Sequence, residues 1–307
     1  MLMTPKSFWV LLLVTVCGPT AAAAETPQTF EHSNIAGVIE RFRSLDVYAE
    51  GRPERSPVVV FVHGGGWVNG NKDSVRRAPR FLQHFKQGNM VVVSVGLRLI
   101  NNAASPGTSF REQASDIAAA LKWVRDNIDE HQGDPGKIFL IGYSAGAHLV
   151  ALVGTDATYL QAHGLAPSFL RGVISLDVNA YDIPAAIVEG PSLGVPVSPA
   201  NLRRVFGSDI EAQRAASPIF HVEPARKYPP MLITYVGVFD TSPEGVFNQT
   251  LTQVQSERFV AALRKTGADA ETFGNLAQSH REIMRDFGME GDGLTAAVDR
   301  FIERLNK

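Results

Sequence analysis

The chain has 307 residues, of which 45% are hydrophobic and 20% charged, and its formal net charge is -2. These values are typical of a globular protein whose length suits one α/β domain. A domain of this size buries roughly three quarters of its unfolded surface and needs no disulfide bonds for stability. Because the net charge is small and negative, the composition gives no sign of the excess of basic residues with which proteins bind nucleic acid or anionic membranes.

The first residues have the layout of a secretory signal peptide. Lys6 precedes an apolar run at residues 8–16, and four alanines follow at residues 21–24. The run is too short to span a bilayer of ~30 Å as a permanent helix, so an uncleaved anchor is the weaker alternative. We expect residues 1–24 to be removed and the protein to be secreted or periplasmic, with no stable membrane anchor. Cys17, the only cysteine, lies in this segment, which excludes disulfides, a thiol nucleophile and Cys-ligated zinc from the mature chain.

Short apolar runs alternate with helical patterns through the rest of the chain. Such runs predict strands buried on both faces of a parallel sheet, and they occupy residues 57–62, 90–95, 137–141, 172–176 and 231–236. Apolar residues at helical spacing predict a helix over 110–128, and residues 44–50 suggest an antiparallel strand before the sheet. We therefore expect one domain at 25–307, with a mostly parallel, doubly wound sheet flanked by helices. The proline-containing segment 177–227 is predicted to be a small lid-like insertion over the active site.

Residues 142–146 read Gly-Tyr-Ser-Ala-Gly, a G-x-S-x-G motif between an apolar strand and an apolar helix. A serine nucleophile on such a strand-to-helix turn needs glycines two residues away on each side, so that the strand and the helix can approach without a clash. The helix N-terminus also favours negative charge developing near the hydroxyl. This context favours Ser144 as a nucleophile over an ordinary glycine-rich turn.

A second motif, His-Gly-Gly-Gly-Trp at residues 63–67, directly follows another predicted strand. Acyl transfer through a tetrahedral intermediate needs backbone N–H donors aimed at the oxyanion. The N–H groups of Gly65, Gly66 and Ala145 are predicted to supply them. We expect His63 to hold this loop by hydrogen bonds; its use as a catalytic base is the weaker alternative.

These two motifs together resemble those of the α/β-hydrolase esterases, within them the hormone-sensitive-lipase-like and the bacterial feruloyl/acetyl-esterase-like groups, which shade into the kynurenine formamidases. Residues 69–72 (Asn-Gly-Asn-Lys) and 216–219 (Ala-Ser-Pro-Ile) add to the likeness. The chain departs from the pattern at residues 96–99, Gly-Leu-Arg-Leu, where a tyrosine commonly precedes Arg-Leu. The resemblance implies the α/β-hydrolase fold and serine-dependent ester hydrolysis without a metal or organic cofactor.

In the α/β-hydrolase fold the catalytic residues follow in the order serine, acid, histidine. His280, in a loop near the end of the chain, is therefore the predicted base for Ser144. Asp240 is the predicted acid because it follows the strand that precedes His280, with Glu244 as the nearest rival. Asp177 also follows a strand, but it precedes a long segment and is the weaker candidate.

The remaining histidines are poor candidates for the base because of their positions. Four precede the serine, one lies four residues after it on the same helix, and two come before any plausible acid. They are His32, His63, His84, His131, His148, His163 and His221.

Three aromatic residues stand next to the predicted catalytic positions and are candidates for substrate contact: Trp67, Tyr143 and Phe239. Packing of the loops is an equally good interpretation for Tyr143 and Phe239. The sequence thus predicts a serine hydrolase that cleaves carboxylic esters of short to medium acyl groups through an acyl-enzyme, with a small-molecule substrate. An arylformamidase-like amide hydrolase and a non-catalytic binding protein of the same fold remain as alternatives, and the oligomeric state is left open.

Overall fold

The structure, a computed structural model, describes residues 26–190, 199–238 and 250–307. The predicted signal peptide lies outside these residues. The described strands are β1 (Gln28–Glu31), β2 (Ser44–Tyr48), β3 (Ser56–Val62), β4 (Val91–Val95), β5 (Gly133–Tyr143), β6 (Leu170–Leu176), β7 (Met231–Val238) and β8 (Ala270–Ser279). The described helices are α1 (Pro79–Gln87), α2 (Phe110–Asn127), α3 (Ala145–Thr155), α4 (Ala157–Gln161), α5 (Ile183–Glu189), α6 (Pro199–Phe206), α7 (Ile210–Ala216), α8 (Leu251–Lys265), α9 (His280–Asp286) and α10 (Gly293–Leu305).

The strands form one sheet in the order β1-β2-β4-β3-β5-β6-β7-β8. The pairs β1–β2 and β2–β4 are antiparallel, whereas every pair from β4 to β8 is parallel. Val60 in the centre of β3 lies opposite Val93 on one side and Leu140 on the other. The prediction of a mostly parallel, doubly wound sheet is confirmed, and the antiparallel strand predicted at 44–50 is found at 44–48.

Alternate side chains of the central strands enter two separate cores. Val58, Val60 and Val62 face the core that contains α2, α3 and α8. Val59 and Phe61 face the core that contains α1, α9 and α10. Because helices cover both faces, these strands carry continuous apolar runs, which is why the sequence pattern revealed them.

The described part of the predicted lid-like segment, 177–227, contains three short α-helices, α5, α6 and α7. Leu202 and Val205 of α6 line the same cavity as Ser144, so this helix forms part of the wall above the sheet. Within the described ranges, none of the helices combines the length and the apolarity that crossing a bilayer requires.

Candidate active site

Ser144 occupies a strained turn between β5 and α3. Its φ is 56° and its ψ is -121°, a conformation that residues other than glycine rarely adopt. Its N–H donates to the carbonyl of Leu176 at the end of β6, 3.0 Å away, which holds the turn against the neighbouring strand. The side chain therefore stands at the carboxyl edge of the sheet, where the following helix begins.

The two glycines of the motif are required by close backbone contacts. A Cβ atom on Gly142 would lie 2.3 Å from the carbonyl oxygen of Gly146. A Cβ atom on Gly146 would lie 2.2 Å from the carbonyl oxygen of Val62, at the end of β3. The turn can thus close, and α3 can lie against the strand that carries the glycine loop, only without side chains at these positions.

The glycine loop after β3 turns its backbone towards the same place. Gly65 and Gly66 have positive φ values of 127° and 60°, and a Cβ atom on Gly64 would be only 3.0 Å from Ser144 Cβ. The N–H groups of Gly65 and Gly66 donate no hydrogen bond to any described residue. Ala145 is the first residue of α3, where backbone N–H groups have no partner within the helix. All three predicted oxyanion donors belong to residues that line one cavity with Ser144.

His63 lies beneath this loop rather than in the cavity. It is buried, its Nδ1–H donates to the carbonyl of Gly64 at 2.7 Å, and burial lowers its pKa to about 4. A Cβ atom on Gly70 would lie 2.3 Å from the same nitrogen, so the imidazole is enclosed by the loop. These contacts fit the expected role of holding the loop.

His280 begins α9 and lines the cavity with Ser144. The preceding Ser279 donates its N–H to Glu282 at 2.8 Å, and this capping box fixes the start of the helix. The imidazole Nδ1 lies 2.5 Å from Asp177 Oδ2. Since Nδ1 must carry the proton to bond a carboxylate, this contact leaves Nε2 unprotonated in the neutral ring.

Asp177 reaches His280 because it stands across the end of β7. Its φ is 53°, in the left-handed region, and its N–H donates to the carbonyl of Thr234. Its Oδ1 accepts the N–H of Val236 at 3.2 Å, and its side chain is fully buried. The backbone of β7, which lies between β6 and β8, thus holds one oxygen of the Asp177 carboxylate. The other oxygen bonds His280, the residue after β8.

Of the three acid candidates, Asp177 is the one whose contact with His280 lies within the described residues, and the roles of Asp240 and Glu244 stay predictions. The sequence favours Asp240, then Glu244, with Asp177 last, yet the structure places Asp177 on Nδ1 of His280. The long segment after Asp177 does not matter, because the adjacency of β6, β7 and β8 brings the carboxylate to the histidine. Asp240 and Glu244 lie outside the described residues, as does Phe239.

Tyr143 packs against His280 and is not among the residues that line the cavity. Its ring stacks on the imidazole with a centroid separation of 4.8 Å and an interplanar angle of 25°, and its hydroxyl donates to the His280 carbonyl at 2.8 Å. Of the two interpretations, substrate contact or loop packing, these contacts favour packing.

Trp67 lines the cavity and is held from behind by a histidine. Its φ is 65°, and its indole Nε1–H donates to Nδ1 of His148 at 3.1 Å. His148 in turn donates its Nε2–H to the carbonyl of Ala216 at 2.7 Å, and burial lowers its pKa to about 4. Phe206 of α6 makes an edge contact with the indole, 4.9 Å between ring centroids. The neutral imidazole therefore connects the tryptophan after the glycine loop to the segment 177–227.

The cavity has a volume of about 330 Å³. Ser144, His280 and the glycine loop meet there with residues of the segment 177–227 that sequence reasoning did not find, among them Asn179, Leu202, Arg204 and Val205. No local sequence pattern marks these four as neighbours of Ser144. Across the described ranges, no group of three His, Cys, Asp or Glu side chains has an arrangement that could hold a metal ion.

The sheet order, the serine turn between β5 and α3, and the glycine loop after β3 define an α/β-hydrolase fold. Known structures agree: esterase B from Lactobacillus Rhamnosis (HN001) superposes with a TM-score of 0.68 at 19% identity, covering 91% of this chain and 85% of that one. The propionate-bound esterase Est2 from Thermogutta terrifontis gives a TM-score of 0.62 at 22% identity, covering 91% and 92%.

Sequence comparison gives a more particular likeness. Residues 45–180, which include both motifs, match the family model BD-FAE. The esterase LipQ of Mycobacterium tuberculosis (strain ATCC 25618 / H37Rv) is 29% identical over 232 residues, which cover 74% of this chain and 50% of LipQ. Carboxylesterase NlhH of the same strain is 38% identical over 97 residues, 32% of this chain and 28% of NlhH. The chain thus spans about half the length of LipQ, and its resemblance to α/β-hydrolase esterases is confirmed.

Proposed function

We propose that this protein is a serine hydrolase that cleaves carboxylic esters of short to medium acyl groups. The observation that carries the proposal is the cavity in which Ser144, on its strained turn, meets His280 with a buried carboxylate on Nδ1. The names of the relatives, esterase and carboxylesterase, support the same class of reaction.

In the proposed mechanism, Nε2 of His280 takes the proton of the Ser144 hydroxyl as the oxygen attacks the ester carbonyl. Asp177 keeps the proton on Nδ1 and stabilises the imidazolium that forms. The N–H groups of Gly65, Gly66 and Ala145 donate to the oxyanion of the tetrahedral intermediate.

The intermediate collapses when His280 gives its proton to the departing alcohol, which leaves the acyl group on Ser144. Water then attacks the acyl-enzyme, with the same imidazole as base, and releases the acid. The stack of Tyr143 on the imidazole places an aromatic face beside the ring while it is positively charged, an arrangement that favours the cation. Tyr143 is therefore assigned to positioning His280.

Hydrolysis of 4-nitrophenyl acetate and butanoate tests the proposal. The wild-type protein should release 4-nitrophenol, and Ser144→Ala should lower kcat by roughly 10⁴-fold or more with an unchanged melting temperature. An organophosphate should add its mass to Ser144 alone. Faster turnover of N-formylkynurenine than of any ester would favour the formamidase alternative. Absence of both turnover and labelling would favour a non-catalytic binding protein.

We also propose that residues 1–24 direct export and are removed, so that the mature protein is secreted or periplasmic. The basic, apolar and alanine-rich order of this segment supports the proposal. Expression of the full chain in a bacterial host, followed by intact-mass measurement of the periplasmic fraction, should give a protein that begins near Glu25. A soluble exported protein with its full N-terminus would contradict the proposal.

A further inference from the structure

One arginine beside the catalytic cavity has no counter-charge among the residues that the structure describes. Arg204 of α6 is exposed and lines the cavity, and it forms no ion pair within the described part of the chain. Elsewhere in the same segment, Arg214 pairs with Glu211, and Arg226 pairs with Glu223. Arg203 likewise forms no ion pair with a described residue, but it does not line the cavity. The described part of the cavity wall therefore presents the positive charge of Arg204 to whatever occupies it.

A buried amide donor on the same cavity also lacks a partner. Asn179, two residues after Asp177, is only 5% exposed, and its Nδ2 makes no hydrogen bond to any residue in the described ranges. Buried polar groups almost always have a hydrogen-bond partner, so an orphan donor beside a substrate cavity is a candidate to bind an oxygen of the substrate. This observation does not depend on the charge of Arg204.

We propose that the ester hydrolysed in this cavity carries a free carboxylate, which Arg204 and Asn179 bind while Ser144 attacks the ester carbonyl. The inference rests on the proposed esterase function. A guanidinium and an amide NH₂ are both hydrogen-bond donors, and carboxylate oxygens are the acceptors that match them in charge and geometry. Among the described residues that line the cavity, the acidic side chain is that of Asp177, which is fully buried and hydrogen-bonded to His280. A volume of about 330 Å³ suits a small ester.

Two pairs of matched esters test the inference and show which side of the ester carries the carboxylate. Monoethyl succinate and ethyl 4-methylpentanoate have the same shape, with a carboxylate or an isopropyl group on the acyl side. 4-Acetoxybenzoate and 4-acetoxybenzamide make the same comparison on the alcohol side. For each pair the ratio of kcat/KM, charged over neutral, is measured for the wild-type protein and for Arg204→Gln, Asn179→Ala and the control Arg203→Gln.

Arg203 is a suitable control because it is the exposed neighbour of Arg204 on α6 and does not line the cavity. We expect the wild type to prefer the charged ester of at least one pair. Arg204→Gln should lower that ratio by about five- to tenfold, between the effects of an exposed and a buried charge pair. Asn179→Ala should also lower it, whereas Arg203→Gln should leave it unchanged. Added salt should reduce the preference of the wild type.

Turnover of the neutral esters with the same ratio in wild type and Arg204→Gln would overturn the carboxylate inference and leave the esterase proposal intact. An equal loss in Arg203→Gln would also overturn it, because the effect would then come from the general charge of the helix. Failure to hydrolyse any of the four esters, together with no labelling of Ser144 by an organophosphate, would refute the esterase proposal itself.

Discussion

The exchange Asp177→Asn tests which carboxylate supports His280. Asp177 accepts two hydrogen bonds, one from the Val236 N–H and one from Nδ1–H of His280. The introduced asparagine has a single carbonyl oxygen, and the backbone N–H of Val236 cannot move to suit it. Its oxygen therefore remains on Val236, and its NH₂ group faces Nδ1.

An NH₂ group at this place forces the proton of the imidazole onto Nε2, so the ring cannot accept the proton of Ser144. In a Ser-His-Asp triad this change of tautomer costs about 10⁴-fold in kcat, which is about 5 kcal/mol of transition-state stabilisation. The exchange should not strain the backbone, because asparagine tolerates a positive φ as well as aspartate does. We expect an unfolding free energy lower by about 1–3 kcal/mol, from the altered hydrogen bonds at a buried site.

The assay measures kcat for 4-nitrophenyl butanoate and the melting temperature, for Asp177→Asn and for the matched control Asp240→Asn. A loss of about 10⁴-fold in the first variant, with activity within about threefold of wild type in the second, is the expected result. Near-normal activity of a folded Asp177→Asn, with a collapse of activity in Asp240→Asn, would refute the reasoning and return the acid role to Asp240.

Further predictions concern the glycine contact, the cavity wall and a buried histidine. Gly146→Ala places a Cβ atom 2.2 Å from the Val62 carbonyl and should lower the unfolding free energy by about 3 kcal/mol or prevent folding, measured by urea titration. The control Gly88→Ala, with its nearest atom at 3.5 Å, should change it by less than about 1 kcal/mol, and equal effects would contradict the argument. Trp67→Ala should broaden the kcat/KM profile for 4-nitrophenyl esters towards longer acyl chains, whereas a uniform drop would leave Trp67 a structural residue. Because the folded-state pKa of His148 is lowered from 6.5 to about 4, its contribution to stability is fully present above pH 6.5 and is lost as the pH falls towards 4. That contribution is about 3 kcal/mol, so His148→Gln should reduce the pH dependence of the unfolding free energy between pH 6.5 and 4, and an unchanged dependence would contradict this account. The reduction should be partial, because burial also lowers the pKa of His63 to about 4.

The sequence predicted those parts of the fold whose causes are local. Strands β3 to β7 are buried on both faces, and their apolar runs revealed them. β8 is different: most of its ten residues are half-buried or exposed, and so it has no apolar run to detect. β1 is a four-residue edge strand and left no pattern for the same reason.

The site divides in a similar way. Ser144 and the glycine loop belong to motifs whose spacing follows from backbone geometry, and the order of the chain singled out His280. The partner of His280 could not be chosen in this way, because Asp177 reaches it across a third strand. The contact of Tyr143 with His280 and the bond between Trp67 and His148 also join distant segments, and no local pattern predicts them.

The contact between Gly146 and the Val62 carbonyl also determines where this protein can be redesigned. It sets the separation between the nucleophile and the glycine loop through two backbones, so no exchange of side chains can adjust that separation. Leu202 and Val205, by contrast, meet the cavity as side chains on α6. A library that varies these two positions changes the shape of the cavity and leaves the backbone frame of the reacting atoms in place. Directed evolution of substrate preference can therefore start from that helix.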